Sequence, residues 1–236
     1  VNSSERITGI SSMATRRLFA ALVPTFEERA GVTVAIESVG GVDAARRIRA
    51  GEAIDLIVLA ANVMEQLETE GHVAAGTLLD VARSGVAVAV RSGTPHPDLA
   101  TEDAVKRAVL DGGKICYSSG PSGNHLKRLF ESWGITAAIA DRTVEAKPGV
   151  PVGQLVADGT ADFGFQQLSE LLDVPGIEVV GPLPPEIQTM TSFTAGIGSA
   201  ATNPSGARAL IAYLASPETA AAKRELGLEP ANGELH

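Results

Sequence analysis

Ser118-Ser119-Gly120-Pro121-Ser122-Gly123-Asn124-His125-Leu126-Lys127-Arg128 is the stretch that decides the fold of this chain. It follows a short apolar run at 114–117 and opens a segment with helical spacing. A strand that breaks into Ser and Gly and then starts a helix is a ready anion site. The first N–H groups of a helix have no internal partners, and the helix dipole favours negative charge there. Ile7-Thr8-Gly9-Ile10-Ser11-Ser12-Met13-Ala14-Thr15-Arg16 repeats that grammar about a hundred residues earlier. Two such ends are expected to clamp a small acidic molecule.

Outward from these turns, apolar runs alternate with helical patterns. Strands are expected at 6–10, 32–37, 55–60, 85–90, 114–117, 161–165, 177–180 and 191–197. Helices are expected at 15–29, with Pro24 kinking or interrupting it, and at 43–50, with Asp43 as cap. Further helices are expected at 63–70, 101–110 (capped by Thr101), 123–133, 152–157, 169–172, 204–214 and 217–226. This βαβα rhythm predicts an α/β fold of two Rossmann-like lobes with mainly parallel sheets. In such sheets ligands sit at the carboxyl ends of strands, where both Ser/Gly turns fall.

The 236 residues suffice for one large α/β domain or two small ones. A net charge of -9 argues against nucleic acid as a partner, because phosphate binding needs a basic surface. It leaves room for an anionic ligand, which responds to a local pocket. No apolar run approaches the roughly 20 residues that span a bilayer. Cys116 is the only cysteine, so no internal disulfide forms, and it reads as a buried small hydrophobe. The four His residues lack metal-ligand spacing, so no metal site is expected.

Several segments, taken in order, resemble the molybdate-binding branch of periplasmic solute-binding proteins. They are the strand and Ser-bearing turn at 6–15, and Ala44-Ala45-Arg46-Arg47-Ile48-Arg49-Ala50-Gly51-Glu52-Ala53-Ile54-Asp55-Leu56-Ile57. Gly120-Pro121-Ser122-Gly123, Leu155-Val156-Ala157-Asp158-Gly159-Thr160-Ala161-Asp162-Phe163-Gly164-Phe165 and Pro217-Glu218-Thr219-Ala220-Ala221 complete the set. Each motif alone is weak, and their order is specific. The resemblance implies the hinge-joined type II periplasmic-binding fold. Residues 1–83 with 195–236 would form lobe 1, 84–194 would form lobe 2, and the ligand cleft would lie between them. It also implies a small anionic ligand (an organic acid or an oxyanion), a membrane ABC-type permease as partner, and a periplasmic mature form without its leader. The start at Val1 fits that form.

The turns depart from the molybdate pattern. Gly40 and Gly41 stand where a Ser run is usual, and Gln166-Gln167 stand where a Tyr is common. Amide and hydroxyl donors in a roomier site favour an organic carboxylate over a compact tetrahedral oxyanion.

The candidate ligand-binding residues are Ser11, Ser12, Met13, Arg16, Gly40, Gly41, Val42, Ser119, Gly120, Ser122, Gly123, Gln166, Gln167 and Thr191. For the Ser residues the alternative role is plain helix capping. For Gly40 and Gly41 it is a turn needing positive φ, and for Arg16 a solvated helix face.

Two functions follow. One is binding without catalysis. The other, implied by relatives of this family that are isomerases, interconverts trans- and cis-aconitate by allylic proton transfer without a cofactor. That chemistry needs a base. His125 is the first candidate and Lys127 a weaker one.

Overall fold

The structure, a computed structural model, describes residues 6–231. The chain divides into two compact α/β units. One runs to Arg83 and resumes at Thr191, and the other comprises Ser84–Met190. The outermost residues of the first lobe expected above, 1–5 and 232–236, lie outside the described residues.

The first unit begins with β1 (Arg6–Ser12), a 3-10 turn (Met13–Thr15), α1 (Arg16–Ala30) and β2 (Thr33–Val39). It continues with α2 (Gly41–Arg49), β3 (Leu56–Ala60) and α3 (Ala61–Thr69). The long strand β4 (Leu79–Arg91) carries the chain across the unit boundary. The second unit then adds α4 (Glu102–Asp111), β5 (Ile115–Tyr117), α5 (Pro121–Ser132), α6 (Thr136–Ile139) and β6 (Thr143–Glu145). After these come α7 (Val152–Ala157), β7 (Phe163–Gln167), α8 (Leu168–Leu171) and β8 (Ile177–Pro182). The chain returns to the first unit along β9 (Met190–Ile197) and closes with α9 (Pro204–Ala215), α10 (Ala220–Glu225) and β10 (Glu229–Pro230).

Each unit is built on a parallel trio. In the first, β1 lies between β2 and β3. In the second, β5 lies between β6 and β7. Antiparallel strands flank both trios, with β9 on β3 and β4 on β7. The type II periplasmic-binding architecture is therefore present.

Helices cover these sheets by spacing their apolar residues at three and four. Leu18, Phe19, Leu22 and Phe26 of α1 enter the first core with Ile7, Leu56 and Phe193. Leu126, Leu129 and Phe130 of α5 do the same in the second, against Phe163, Phe165 and Ile187. Cys116 is fully buried, and burial pushes its thiol up to about 12, which makes it a packing residue.

Several local expectations are corrected. α1 runs on through Pro24 to Ala30 and stops at Gly31, whose φ of 65° is left-handed. Gly40, with extended backbone, is the N-cap of α2, and Asp43 lies inside its first turn, paired with Arg46 at 3.2 Å. β4 starts six residues before the expected strand, at Leu79. Residues 136–145, left unassigned from sequence, form α6, a 3-10 turn and β6.

Lys223 of α10 is only 1% exposed, and its Nζ donates to the Leu214 carbonyl at 2.5 Å. Burial without a carboxylate pushes its ammonium down to about 8. An unfolded lysine titrates near 10.4. Between those values the unfolded chain binds the extra proton, so raising the pH relieves the folded state. Urea unfolding of the wild type and Lys223→Met at pH 7 and pH 10 is expected to show the wild type gaining on the variant at pH 10. A constant difference would remove this account of Lys223.

Candidate functional site

In the first unit, β1 and β2 end side by side, with Ser11 opposite Ser38 and Ser12 opposite Val39. Parallel pairing therefore brings the Ser11–Ser12 turn and the Gly40–Gly41 turn to one sheet end. Ser11 is fully buried, and its hydroxyl is hydrogen-bonded to that of Ser38 at 2.8 Å. Ser38 is absent from the candidate set. Only the β1–β2 register shows its role.

The Ser12 side chain accepts from the N–H of Ala14 at 3.3 Å and caps the 3-10 turn. Met13 is half-buried and Arg16 is exposed at the start of α1. Val42 is 69% exposed on the first turn of α2. α2 has no side-chain cap, and a Cβ added to Gly41 would meet nothing within 4 Å. No side chain therefore caps its leading N–H groups. Thr191 sits half-buried in β9.

In the second unit, β5 and β7 are parallel neighbours with Tyr117 opposite Phe165. Ser118–Ser119, just past the end of β5, and Gln166–Gln167, the last two residues of β7, follow at the same sheet end. Here too a strand-end hydroxyl meets a second one, with Ser118 Oγ 2.8 Å from the nearly buried Ser122 Oγ. Ser118 Oγ also accepts from the N–H of Gly120 at 3.3 Å. Gly120 is the N-cap of α5, which has no side-chain cap and no acid in its first turn. Ser119 is half-buried beside it. Gly123 packs its backbone against the Ser118 carbonyl so closely that a Cβ would lie 1.6 Å from that oxygen.

Gln166 and Gln167 are both buried. Gln166 accepts from the N–H of Val152 at 3.0 Å and donates to Glu170 at 2.8 Å, so both ends of its amide bond within the unit. His125 is half-buried on α5, with Nε2 2.7 Å from the Ile187 carbonyl. A carbonyl only accepts, so Nε2 carries the proton in this bond. Lys127 pairs with Glu145 at 2.8 Å and lies 5.8 Å from the Tyr117 ring centroid.

Each unit therefore ends a parallel strand in a hydrogen-bonded Ser pair, beside a helix whose N-cap is Gly. Hydroxyl protons and helix N–H groups are donors, and no carboxylate stands in the first turn of α5 to compete with a bound anion.

A family model described as bacterial extracellular solute-binding protein matches residues 7–229. An aconitate isomerase from Pseudomonas sp is 35% identical over 233 residues, covering 95% of this chain and 87% of that protein. The periplasmic molybdate-binding protein of Azotobacter vinelandii superposes with a TM-score of 0.79 at 19% identity, covering 94% of this chain and 98% of that one. A tungstate ABC transporter structure from Geobacter sulfurreducens gives 0.70 at 18%, covering 92% and 97%. The match across nearly the whole described chain, on two α/β units of the expected design, places this protein in the bacterial extracellular solute-binding family.

Proposed function

We propose that this chain captures a small organic polycarboxylate outside the cytoplasmic membrane, in the periplasm, and hands it to an ABC-type permease. The observation that carries this reading is the duplicated turn: a Ser hydroxyl pair at 2.8 Å beside a Gly-capped helix, once in each unit. Each turn by itself offers hydroxyl and helix N–H donors suited to a carboxylate group. Amide and hydroxyl donors at these turns favour an organic carboxylate over a compact oxyanion. Membership of an extracellular solute-binding family supports the location and the permease.

A second reading is favoured by the aconitate isomerase relative. In it the bound tricarboxylate loses a proton from its methylene carbon, the double bond shifts, and a proton returns at the former vinyl carbon. Atoms balance without a cofactor. His125 is the residue of this chain suited to carry that proton, because Nε2–H is committed to Ile187 and Nδ1 is left as the basic atom.

Proton NMR of the purified protein with trans-aconitate in D₂O tests both. Saturable binding without turnover is expected for capture alone. Appearance of cis-aconitate with deuterium uptake establishes the isomerase. Absence of binding at millimolar concentration overturns the polycarboxylate reading.

A further inference from the structure

The connector at 183–189 follows Pro182, the last residue of β8, and itself contains Pro184 and Pro185. Proline has no N–H, so this segment cannot continue a ladder on β4 by its backbone alone. One backbone bond is made, from the N–H of Leu183 to the Val86 carbonyl at 3.1 Å. The side chain of Gln188 supplies the rest. Its Oε1 accepts from the N–H of Val86 at 2.9 Å, and its Nε2 donates back to the Val86 carbonyl at 2.9 Å. A primary amide thus imitates the backbone of a neighbouring strand.

Room for it is made by Gly85, where an added Cβ would lie 3.2 Å from Gln188 Cδ. Gln188 Oε1 also accepts from the N–H of Thr189 at 2.9 Å, which tightens the chain around it. The residue before Gln188 is Ile187, 6% exposed in the core of this unit, and its carbonyl receives Nε2–H of His125.

We infer that Gln188 is a positioning residue for His125. By clamping the connector to Val86 it fixes the Ile187 carbonyl. That carbonyl in turn holds the imidazole in its Nε2–H form, with Nδ1 as the only basic nitrogen. The inference rests on the isomerase reading only for its consequence, the identity of the nitrogen that takes a proton. The tautomer itself is a property of the protein without ligand.

Long-range ¹H–¹⁵N correlation of the ligand-free, ¹⁵N-labelled protein reads it directly, with His125→Gln used to assign the signal. In the wild type the Nε2–H tautomer is expected to dominate by about tenfold or more, the equivalent of one hydrogen bond. In Gln188→Leu the ratio is expected to fall toward unity. Gln188→Glu is the milder variant, since an ionised carboxylate still accepts from Val86 N–H but cannot donate to its carbonyl. It is expected to fall between the two and serves if the Leu variant does not fold. A wild-type His125 protonated on Nδ1, or an unchanged ratio in folded Gln188 variants, overturns the inference. His125→Gln places an amide N–H near the Nε2 position without a basic nitrogen. Trans-aconitate bound by that variant without deuterium uptake, beside an active wild type, matches the assigned role of Nδ1, and undiminished uptake overturns it. A wild type that binds without turnover removes the isomerase reading and leaves the tautomer result standing.

Discussion

An Asp55→Asn variant is expected to lose on the order of 4 kcal/mol in urea unfolding at neutral pH. Asp55 is 1% exposed, and its hydrogen-bond partners are neutral hydroxyl and backbone N–H groups. Its carboxylate is instead saturated by donors from two distant segments. Oδ2 accepts from the N–H and the hydroxyl of Thr8, each at 2.8 Å. Oδ1 accepts from the N–H of Thr202 at 2.6 Å, the Thr202 hydroxyl at 3.2 Å and the N–H of Asn203 at 2.7 Å. Asn203 caps α9, accepting from Gly206 at 2.9 Å, and donates to the Arg6 carbonyl at 3.1 Å. One carboxylate therefore ties β1, the start of β3 and the first turn of α9 together. An Asn can satisfy only one of the two donor sets and turns its own N–H₂ against the other.

The pH dependence follows. Burial, the largest influence, raises the Asp55 carboxyl, and the donors from Thr8, Asn203 and Thr202 outweigh it, so the group sits below its ordinary value. Its stabilisation is complete above the unfolded value, about 3.9, and is lost as the pH falls through the lower folded value. The gap between wild type and Asp55→Asn is expected to close on acidification. A loss below about 1 kcal/mol at pH 7, or a gap that widens in acid, rejects the account.

The Ser118–Arg128 stretch was legible because its chemistry is local. A strand end, a Gly cap and a following helix are all written within a dozen residues. The first-unit turn was legible for the same reason. The sequence shows Asp55 as a strand entry and as part of the 44–57 motif but not its role as a tie, since its partners Thr202 and Asn203 lie 147 and 148 residues away. Ser38 escaped because its role depends on the β1–β2 register, and its neighbours Gly40 and Gly41 drew the reading instead. The early part of β4 was hidden by Asp80, Arg83 and Ser84, which break the apolar run that marks a buried strand. Gln188 sits among prolines in what reads as a loop, and nothing in its surroundings announces that an amide would stand in for strand backbone. What sequence withheld was long-range hydrogen bonding, which carries no local periodicity.

Gly123→Ala is expected to weaken binding of trans-aconitate by about a hundredfold, while Gly120→Ala stays close to wild type. The two glycines lie three residues apart in the same motif and differ in what surrounds them. A Cβ at Gly123 would stand 1.6 Å from the Ser118 carbonyl oxygen, 2.7 Å from its carbon and 3.1 Å from Tyr117 Cδ2. The nearest two atoms are backbone, so no rotamer change relieves them. Either the Ser118 turn or the first turn of α5 must move by an ångström or more, separating Ser118 Oγ from Ser122 Oγ and redirecting the helix N–H groups. A Cβ at Gly120 would meet only Ser118 Oγ, at 3.6 Å, an ordinary contact. Its φ of −91° and ψ of −161° suit any residue. Calorimetric titration of both variants in parallel separates the effects. Thermal unfolding should show Gly123→Ala destabilised by about 2 kcal/mol, as for overpacking of a close-packed site, with little change for Gly120→Ala. Equal affinities in the two variants would mean that the α5 turn does not hold the ligand. A destabilised Gly123→Ala with intact binding would mean that the close approach serves packing alone. Loss confined to Gly123→Ala is the outcome that makes the turn's geometry, rather than its composition, the source of binding.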